Sequence, residues 1–292
     1  MNKFKSIGLG LVAGLAMTAM TGPLASNAEA GVIAYSTLQI SNVRLTSGAE
    51  QIGTIQSIDN ATSSRASFDG IPGVANSDSS DAALSCVGAC GGIGQNDYTR
   101  VSLGNPGLHF ARGDAILTGS IPTGDASAST VAETQLTSRG GSNAGGEVSS
   151  TSFFLTVDFT PPADEVTLEF DAFGELLAES TAADGFAQAD FDWSLLLFQV
   201  DQNGNPIAFT AFIAPLEINQ QVAINGVGSA SYSVNDSFVL SVNNLQANAR
   251  YRLTISHNSD VEAALPVPAT MAVLGLGLLG LGVVARRRKQ IA

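Results

Sequence analysis

Residues 187–197 read AQADFDWSLLL and decide the fold class. Apolar side chains occupy the odd positions of this stretch, whereas Gln188, Asp190, Asp192 and Ser194 occupy even ones. Successive side chains of a β-strand point to opposite faces of the sheet, so this period of two predicts a strand with one face in a core and the other towards solvent. We therefore expect an all-β protein.

The same strand leads into a predicted hairpin. Residues 195–200 form its first arm, residues 201–206 (DQNGNP) form the turn, and residues 207–213 return as the second arm. Asn-Gly at 203–204 supplies the positive φ values that a tight turn needs. DQNGN also resembles the start of a calcium-binding loop, but Phe212 stands where the twelfth-position glutamate is required. We interpret the segment as a turn and expect calcium binding to be weak or absent.

Further strands are predicted where apolar and polar residues alternate. One of them, residues 127–136, is polar enough to suggest a sheet edge, and residues 173–181 are the candidate for a short helix. Together the segments predict one antiparallel β-sandwich or jelly roll over residues 31–264. The other predicted strands are residues 35–45, 153–159, 166–170, 237–242 and 250–256.

Two stretches interrupt this rhythm, residues 57–107 and 137–150, which are rich in Ser, Gly, Asn and Asp. Their composition predicts long loops or partly disordered segments. Cys86 and Cys90, the two cysteines of the chain, lie in the first of them. In an oxidising compartment they are expected to form a local disulfide, because a metal site needs more ligands than this pair offers.

The predicted sandwich is strongly acidic. Between residues 31 and 264 it carries seven basic residues, all Arg, against 25 acidic ones, a net charge of −18. Such a surface repels nucleic acid and anionic lipid, so a nucleic-acid partner is excluded. Sparse charge and abundant Ser, Ala, Gly and Thr are typical of a secreted β protein.

The N-terminus reads as a signal peptide over residues 1–30. Lys3 and Lys5 form its basic start, an apolar stretch follows over 7–20, and Ala28 and Ala30 are the small residues that signal peptidase requires at its cleavage site. The apolar stretch is shorter than the roughly 20 residues that span a membrane, which disfavours a permanent anchor. We expect export and a mature chain that starts at Gly31.

The C-terminus, residues 265–292, has three parts: a proline motif, an apolar run over 271–285 and a basic cluster. We expect the apolar run to form a hydrophobic transmembrane helix and the following charges to hold its end in the cytoplasm, which is stop-transfer geometry. The motif comprises Pro266, Val267, Pro268, Ala269 and Thr270, and the cluster comprises Arg286, Arg287, Arg288 and Lys289.

This tail resembles the PEP-CTERM sorting signal of Gram-negative, biofilm-forming bacteria. The resemblance covers about the last 27 residues and implies a partner, exosortase, a membrane protease that cuts near the proline motif. Pro266 and Pro268 match the motif prolines, while Val267 departs from the usual glutamate and leaves the particular sorting enzyme open. The resemblance implies an intermediate anchored in the inner membrane, followed by delivery to the outer surface or extracellular matrix. A simple tail anchor is the alternative.

Few residues of the predicted sandwich suggest catalysis. The chain has two histidines, His109 and His257, and His257 ends a predicted strand, where a surface position is expected. Asp190 and Asp192 share one strand face, as a glycosidase pair does, yet alternation alone places polar residues there. We expect no enzymatic activity, no metal site and no cofactor.

The sequence favours a structural or adhesive protein of the cell surface or extracellular matrix. The alternative is a carbohydrate-binding module for envelope polysaccharide or exopolysaccharide, which would use exposed aromatic side chains near Asp, Asn and Arg. Tyr98, Tyr232, Tyr251 and Trp193 are its candidates, although alternation places Trp193 in the core. A secreted hydrolase is the least favoured of the three.

Overall fold

The computed structural model describes residues 31–48, 50–52, 55–68, 71–103, 109–121, 124–137 and 147–265. The predicted signal peptide, sorting motif, C-terminal hydrophobic helix and basic cluster lie outside these residues, so they stay predictions. Within the described ranges, no helix has the length and apolar character needed to cross a membrane.

Antiparallel strands β1 to β15 make up most of the described chain and form two sheets. Sheet A has seven strands in the order β14-β10-β1-β8-β7-β6, with β2 beside β1. Sheet B has eight in the order β12-β11-β15-β9-β3-β4, with β13 beside β11 and β5 beside β3. The strands are β1 (Gly31–Ser47), β2 (Glu50–Gln51), β3 (Ile55–Phe68), β4 (Ile71–Pro72), β5 (Asn76–Asp78), β6 (Asp81–Gly88), β7 (Phe110–Thr118), β8 (Ala126–Thr137), β9 (Glu147–Phe159), β10 (Glu165–Ser180), β11 (Phe186–Val200), β12 (Pro206–Ile213), β13 (Gln220–Asn225), β14 (Gly228–Asn243) and β15 (Tyr251–Ala264).

The two sheets pack face to face, which confirms the predicted all-β antiparallel sandwich. The alternation of β11 is realised along its length: Phe191, Trp193 and Leu195 are buried between the sheets, and the residues between them are half-buried on the outer side. Phe170 of β10 meets Trp193 across the interface, with 4.8 Å between ring centroids. Burying large apolar side chains in this way is the main favourable contribution to folding.

The predicted hairpin is also confirmed, as β11 pairs with β12 from Leu195–Ile213 to Val200–Pro206. The Asp201 carboxylate closes the turn, since its Oδ1 accepts hydrogen bonds from the backbone N–H groups of Asn203 and Asn205 at 2.8 Å. The Asn205 side-chain amide, which donates to Oδ2 at 3.0 Å, together with these backbone bonds holds the pKa of Asp201 below its usual value. The Asp201 carboxylate stabilises the turn, in agreement with the interpretation of this segment as a turn.

The predicted loop over residues 57–107 is wrong as an uninterrupted loop, because β3 to β6 lie within it. β3 pairs with β9 in sheet B and β6 pairs with β7 in sheet A. Backbone hydrogen bonds make these ladders, so polar strands of Ser, Asn and Asp join a sheet without an apolar pattern. The second predicted loop is shorter than 137–150, since β9 begins at Glu147.

Two smaller predictions are wrong for a related reason. β8 is not an edge strand but lies between β1 and β7, and its residues from Thr130 to Thr137 are buried on both faces. The candidate helix over 173–181 belongs almost wholly to β10, which is paired with β1 on one side and β14 on the other. Tertiary pairing overrides the local helix preference of its Glu, Leu and Ala residues.

A polar bridge joins the two sheets inside the core. Thr130 of β8 contacts His257 Nε2 and Ser259 Oγ of β15, each at 2.7 Å from its hydroxyl oxygen. All three side chains are fully buried, so the expected surface position of His257 is wrong. Burial lowers the pKa of His257 to about 3, because a charged imidazolium loses its hydration there.

This burial predicts a pH-dependent stability. Between the unfolded pKa near 6.5 and the folded pKa of about 3, only the unfolded state takes up the proton of His257, so the free energy of unfolding falls as pH falls. In His257→Gln this contribution is absent. Urea denaturation at pH 7, 5.5 and 4.5 measures the free energy of unfolding of both proteins. As pH falls, the wild type is expected to lose more of this free energy than the His257→Gln variant does. A difference that stays constant contradicts the assignment.

Candidate functional site

The outer surface of sheet B carries regular rows of polar side chains, here called the polar face. The register of β11 with β15 sets Ser194 opposite Ser256 and Asp192 opposite Asn258. The two serine hydroxyls lie 2.6 Å apart, and Asn258 Nδ2 donates to Asp192 Oδ2 at 3.2 Å. The sandwich therefore presents a pre-ordered ladder of donors and acceptors.

Three aspartates meet at one end of the polar face. Asp260 lies opposite Asp190 in the register, and one carboxylate oxygen from each of Asp190, Asp192 and Asp260 lies within 4.8 Å of the others. Burial raises the pKa of Asp190, with the charge of Asp192 adding to it, while hydrogen bonds from Gln188 and Gln221 act the other way. The sequence pairs Asp190 with Asp192, but the cross-strand partner Asp260 is visible only once the register is known.

The polar face ends near a buried carboxylate held by two arginines. Asp158 of β9 is fully buried and accepts from Arg252 Nε at 2.7 Å and from Arg250 Nη2 at 2.7 Å. Burial alone would raise the pKa of Asp158, but the two guanidinium groups outweigh it and hold this pKa below its usual value. Arg252 is thereby fixed on the outer surface beside Phe198, its partner in the register.

Next to Arg252 lies a group of large apolar side chains, three of them aromatic, which we call the aromatic corner. It consists of Leu196 and Phe198 of β11 with Phe212 and Phe209 of β12. The register pairs Leu196 with Phe212 and Phe198 with Phe209. Phe209 and Phe212 are 62% and 60% exposed, and the rings of Phe198 and Phe209 meet edge-on at 5.9 Å. Sequence reasoning missed this corner, because PIAFTAFI shows no alternation.

The aromatic residues proposed from the sequence are not exposed platforms. Trp193, as expected, and Tyr251 are buried in the core. Tyr232 packs against that core and donates its hydroxyl to the carbonyl of Glu217 at 2.9 Å. Tyr98 is half-buried, with its hydroxyl on Asn96 Oδ1 at 3.1 Å.

β12 forms the edge of sheet B. It pairs with β11 on one side, and no strand among the described residues pairs with its other side. Ile207 and Leu216, before and after the aromatic pair, are 61% and 75% exposed. Residues 202–216 contain no charged side chain, although the chain has a net charge of −13. An apolar edge of this kind is open to pairing with another strand.

The outer side of sheet A is different in part, because residues 89–103, here called the covering segment, lie over β1, β7 and β8. The predicted Cys86–Cys90 disulfide is confirmed and ties the start of this segment to β6. Tyr35 of β1 donates its hydroxyl to the carbonyl of Tyr98 at 2.6 Å. Tyr35, Val131 and Leu177 form a second, small apolar cluster beneath the segment.

A buried ion pair anchors the covering segment. Arg112 of β7 and Glu133 of β8, both fully buried, are joined from Nε to Oε2 at 2.9 Å. Arg112 also donates to the carbonyls of Asp97 and Thr99. Glu133 accepts from the backbone N–H groups at 101 and 102, at 3.1 and 2.9 Å. Each charge is therefore satisfied by its partner and by the segment above it.

Neither histidine stands in a catalytic arrangement in the described part of the chain. His257 lies in the core bridge, and His109 lies against Thr137, whose hydroxyl is 2.7 Å from Nε2. Burial lowers the pKa of His109. Both imidazoles therefore serve packing and hydrogen bonding between strands.

No family model matches the chain, and no curated protein matches it. Among solved structures it shows a slight likeness to infectious bursal disease virus, Gt strain, at 12% identity and a TM-score of 0.12, over 81% of this chain and 66% of the viral chain, just under two thirds. Infectious bursal virus derived T=1 particles match at 10% identity and a TM-score of 0.09, over 82% and 78%. Likenesses at such TM-scores carry no argument about this chain.

The ion pair predicts a large asymmetry between two glutamate substitutions. Glu133→Gln leaves Arg112 buried without a counter-charge, which is expected to cost about 3–5 kcal/mol in the free energy of unfolding. Glu262→Gln, an exposed position on the last strand, is expected to change it by less than about 0.5 kcal/mol. Urea denaturation monitored by circular dichroism measures both. Equal small effects would show that the pair does not anchor the segment.

Proposed function

We propose that this chain is an exported, non-enzymatic structural or adhesive protein of the bacterial cell surface or extracellular matrix. It is sorted through its C-terminal signal by an exosortase-like protease, and it assembles with further copies of itself through the edge of β12. The terminal signals support the destination. The uncharged apolar edge of β12 carries the assembly.

The backbone of β12 favours another β-strand as the binding partner at this edge. Its outward N–H and C=O groups need hydrogen-bond partners, which a neighbouring β-strand supplies in full. A hydrocarbon phase would leave those groups unpaired, at a cost of several kcal/mol each, so a lipid bilayer is disfavoured.

The charge distribution of the chain favours β12 of a second copy as that partner strand. The body of the molecule is strongly acidic, so two copies repel each other over most of their surfaces. Residues 202–216 are free of charge, and there two copies approach with the least repulsion. Antiparallel pairing of β12 with its equivalent is self-complementary and closes a two-fold dimer. Eight residues of strand make a small interface, so we expect a weak, concentration-dependent association.

Self-association is tested by sedimentation velocity over a wide concentration range. Phe212→Lys adds a charge to the β12 edge and is expected to keep the chain monomeric at concentrations where the wild type dimerises. Val239→Lys is the matched control, because Val239 is 66% exposed on β14 of the other sheet. A wild type that stays monomeric throughout, or equal loss of dimer in both variants, argues against assembly through β12.

Carbohydrate binding is a second candidate, favoured by the contact between the aromatic corner and the polar face. Sugar rings stack their C–H faces on aromatic side chains and hydrogen-bond through hydroxyl groups. Phe198 and Phe209 offer the ring surface, with Arg252 fixed beside Phe198 and the Ser194–Ser256 row further along. The ligand class would be a neutral or uronic-acid-poor polysaccharide, because the face is acidic at its far end.

Affinity electrophoresis in gels that contain exopolysaccharide from the host tests this candidate. Phe198→Ala removes the ring that β11 contributes to the corner and that packs against Phe209 of β12, and it is expected to weaken binding at least about tenfold, equivalent to 1.4 kcal/mol. Phe173→Ala is the control, since Phe173 is 41% exposed on the opposite sheet. Unretarded migration of the wild type, or equal weakening in both variants, rejects the polysaccharide site.

A further inference from the structure

Asp114 of β7 is a fully buried carboxylate with an unsatisfied oxygen. Its Oδ2 accepts from the backbone N–H of Asn96 at 2.6 Å. Its Oδ1 is buried and has no hydrogen-bond partner among the described residues. A buried oxygen of this kind is expensive unless a proton, a water or a cation satisfies it.

A second carboxylate lies on the same side. The register of β6 with β7 sets Asp81 opposite Ile116, which makes Asp81 a diagonal neighbour of Asp114, at a spacing of about 7–8 Å between such positions. Asp81 is half-buried, and it accepts from Gln95 Nε2 at 2.8 Å and from Asn96 Nδ2 at 3.3 Å. Asn96 therefore touches both carboxylates, one through its backbone and one through its side chain.

The salt bridges between described residues include neither Asp81 nor Asp114. The charge of Arg112 acts on Asp114, but Arg112 is already paired with Glu133. Burial raises the pKa of Asp114, and the charge of Asp81 raises it further, while Asn96, Ala115 and Arg112 act against this. Two carboxylates, one of them buried, thus lie close together without an ion-pair partner among the described residues.

We propose that Asp81 and Asp114 form a binding site for a divalent cation, Ca²⁺, which fastens the covering segment to sheet A beside Asn96, the residue that donates to both carboxylates. Ca²⁺ takes carboxylate and amide oxygens and completes its shell with water. The buried Oδ1 of Asp114 and the carboxylate of Asp81 supply charged ligands, and water supplies the others, because the side-chain oxygen of Asn96 accepts a hydrogen bond from the Tyr98 hydroxyl at 3.1 Å. A double positive charge balances the two aspartates. This site is separate from the Asp190, Asp192 and Asp260 group on sheet B.

The effect of the ion is a tighter covering segment. Asn96 adopts a positive φ of 61°, which brings both of its nitrogen atoms to the aspartates. The disulfide fixes the segment at Cys90, and the Arg112–Glu133 pair fixes it from residue 97 onwards. The proposed ion lies between these two anchors. A ligand that binds only the folded state stabilises it, so added Ca²⁺ raises the melting temperature.

Thermal unfolding of the purified chain in CaCl₂ and in EDTA tests the proposal, with calorimetric titration of CaCl₂ to measure binding directly. We expect Ca²⁺ to raise the Tm of the wild type by at least about 3 °C. Asp114→Asn and Asp81→Asn are each expected to abolish that rise. In EDTA their Tm values should equal or exceed that of the wild type, because an amide removes the repulsion between the two carboxylates.

Asp190→Asn is the matched control, because it removes one charge from the other acidic group and should keep the full Ca²⁺-dependent rise. Should Asp114→Asn fail to fold, Asp81→Asn, whose side chain is half-buried, carries the test alone. No rise in the wild type means that a proton or water satisfies Asp114 and overturns the proposal. A rise that survives in Asp81→Asn, or that Asp190→Asn abolishes, places the ion elsewhere and overturns it too.

Discussion

The ring of Trp193 lies between the two sheets, 4.8 Å from the ring of Phe170 on β10, which in turn stacks on Phe238 of β14 at 5.1 Å. This inter-sheet packing determines the rest of the molecule. It takes every second side chain of the long strands into the core and sends the others outward. The outer surfaces of both sheets are thereby fixed in register, and their rows of polar side chains follow from the strand pairing alone.

The outer surfaces of the two sheets differ in what lies over them. On sheet A, the disulfide and the Arg112–Glu133 pair hold a segment without strands over the strand surface, so that polar side chains there become buried and must be satisfied. On sheet B, the polar face continues into the aromatic corner and ends at the β12 edge. The aromatic corner and the uncharged β12 edge therefore lie on sheet B, whereas the covering segment and the buried Arg112–Glu133 pair lie on sheet A.

The sequence predicts the architecture well where a strand faces the core on one side and solvent on the other. β11 is the clearest example, since its alternating residues are buried and half-buried in turn. β8 could not be placed in the same way. Its Glu133 and Gln135 look exposed in sequence but are both buried, Glu133 beneath a segment that lies about 30 residues earlier in the chain. β12 lacks alternation because its edge leaves large apolar residues in solvent, so the aromatic corner had no sequence signal.

The candidate site residues also divide into those that the sequence predicts and those that it does not. The disulfide and the Asp201 turn depend on local spacing and were predictable. The meeting of Asp260 with Asp190, and the contact of Asn96 with both Asp81 and Asp114, depend on strand register and on the path of the covering segment. No pattern within one segment encodes such contacts. The burial of His257 likewise depends on Thr130, a residue of the opposite sheet.

Export and sorting of this sandwich to the cell surface are the central proposal, and the intact mass of the mature protein from its native host tests them most directly. The mass is compared between wild type and a strain without exosortase. Export and sorting predict a wild-type chain that starts at Gly31 and ends between Pro266 and Thr270, with the tail retained in the mutant strain. A tail retained in both strains would contradict sorting and would identify an ordinary membrane anchor.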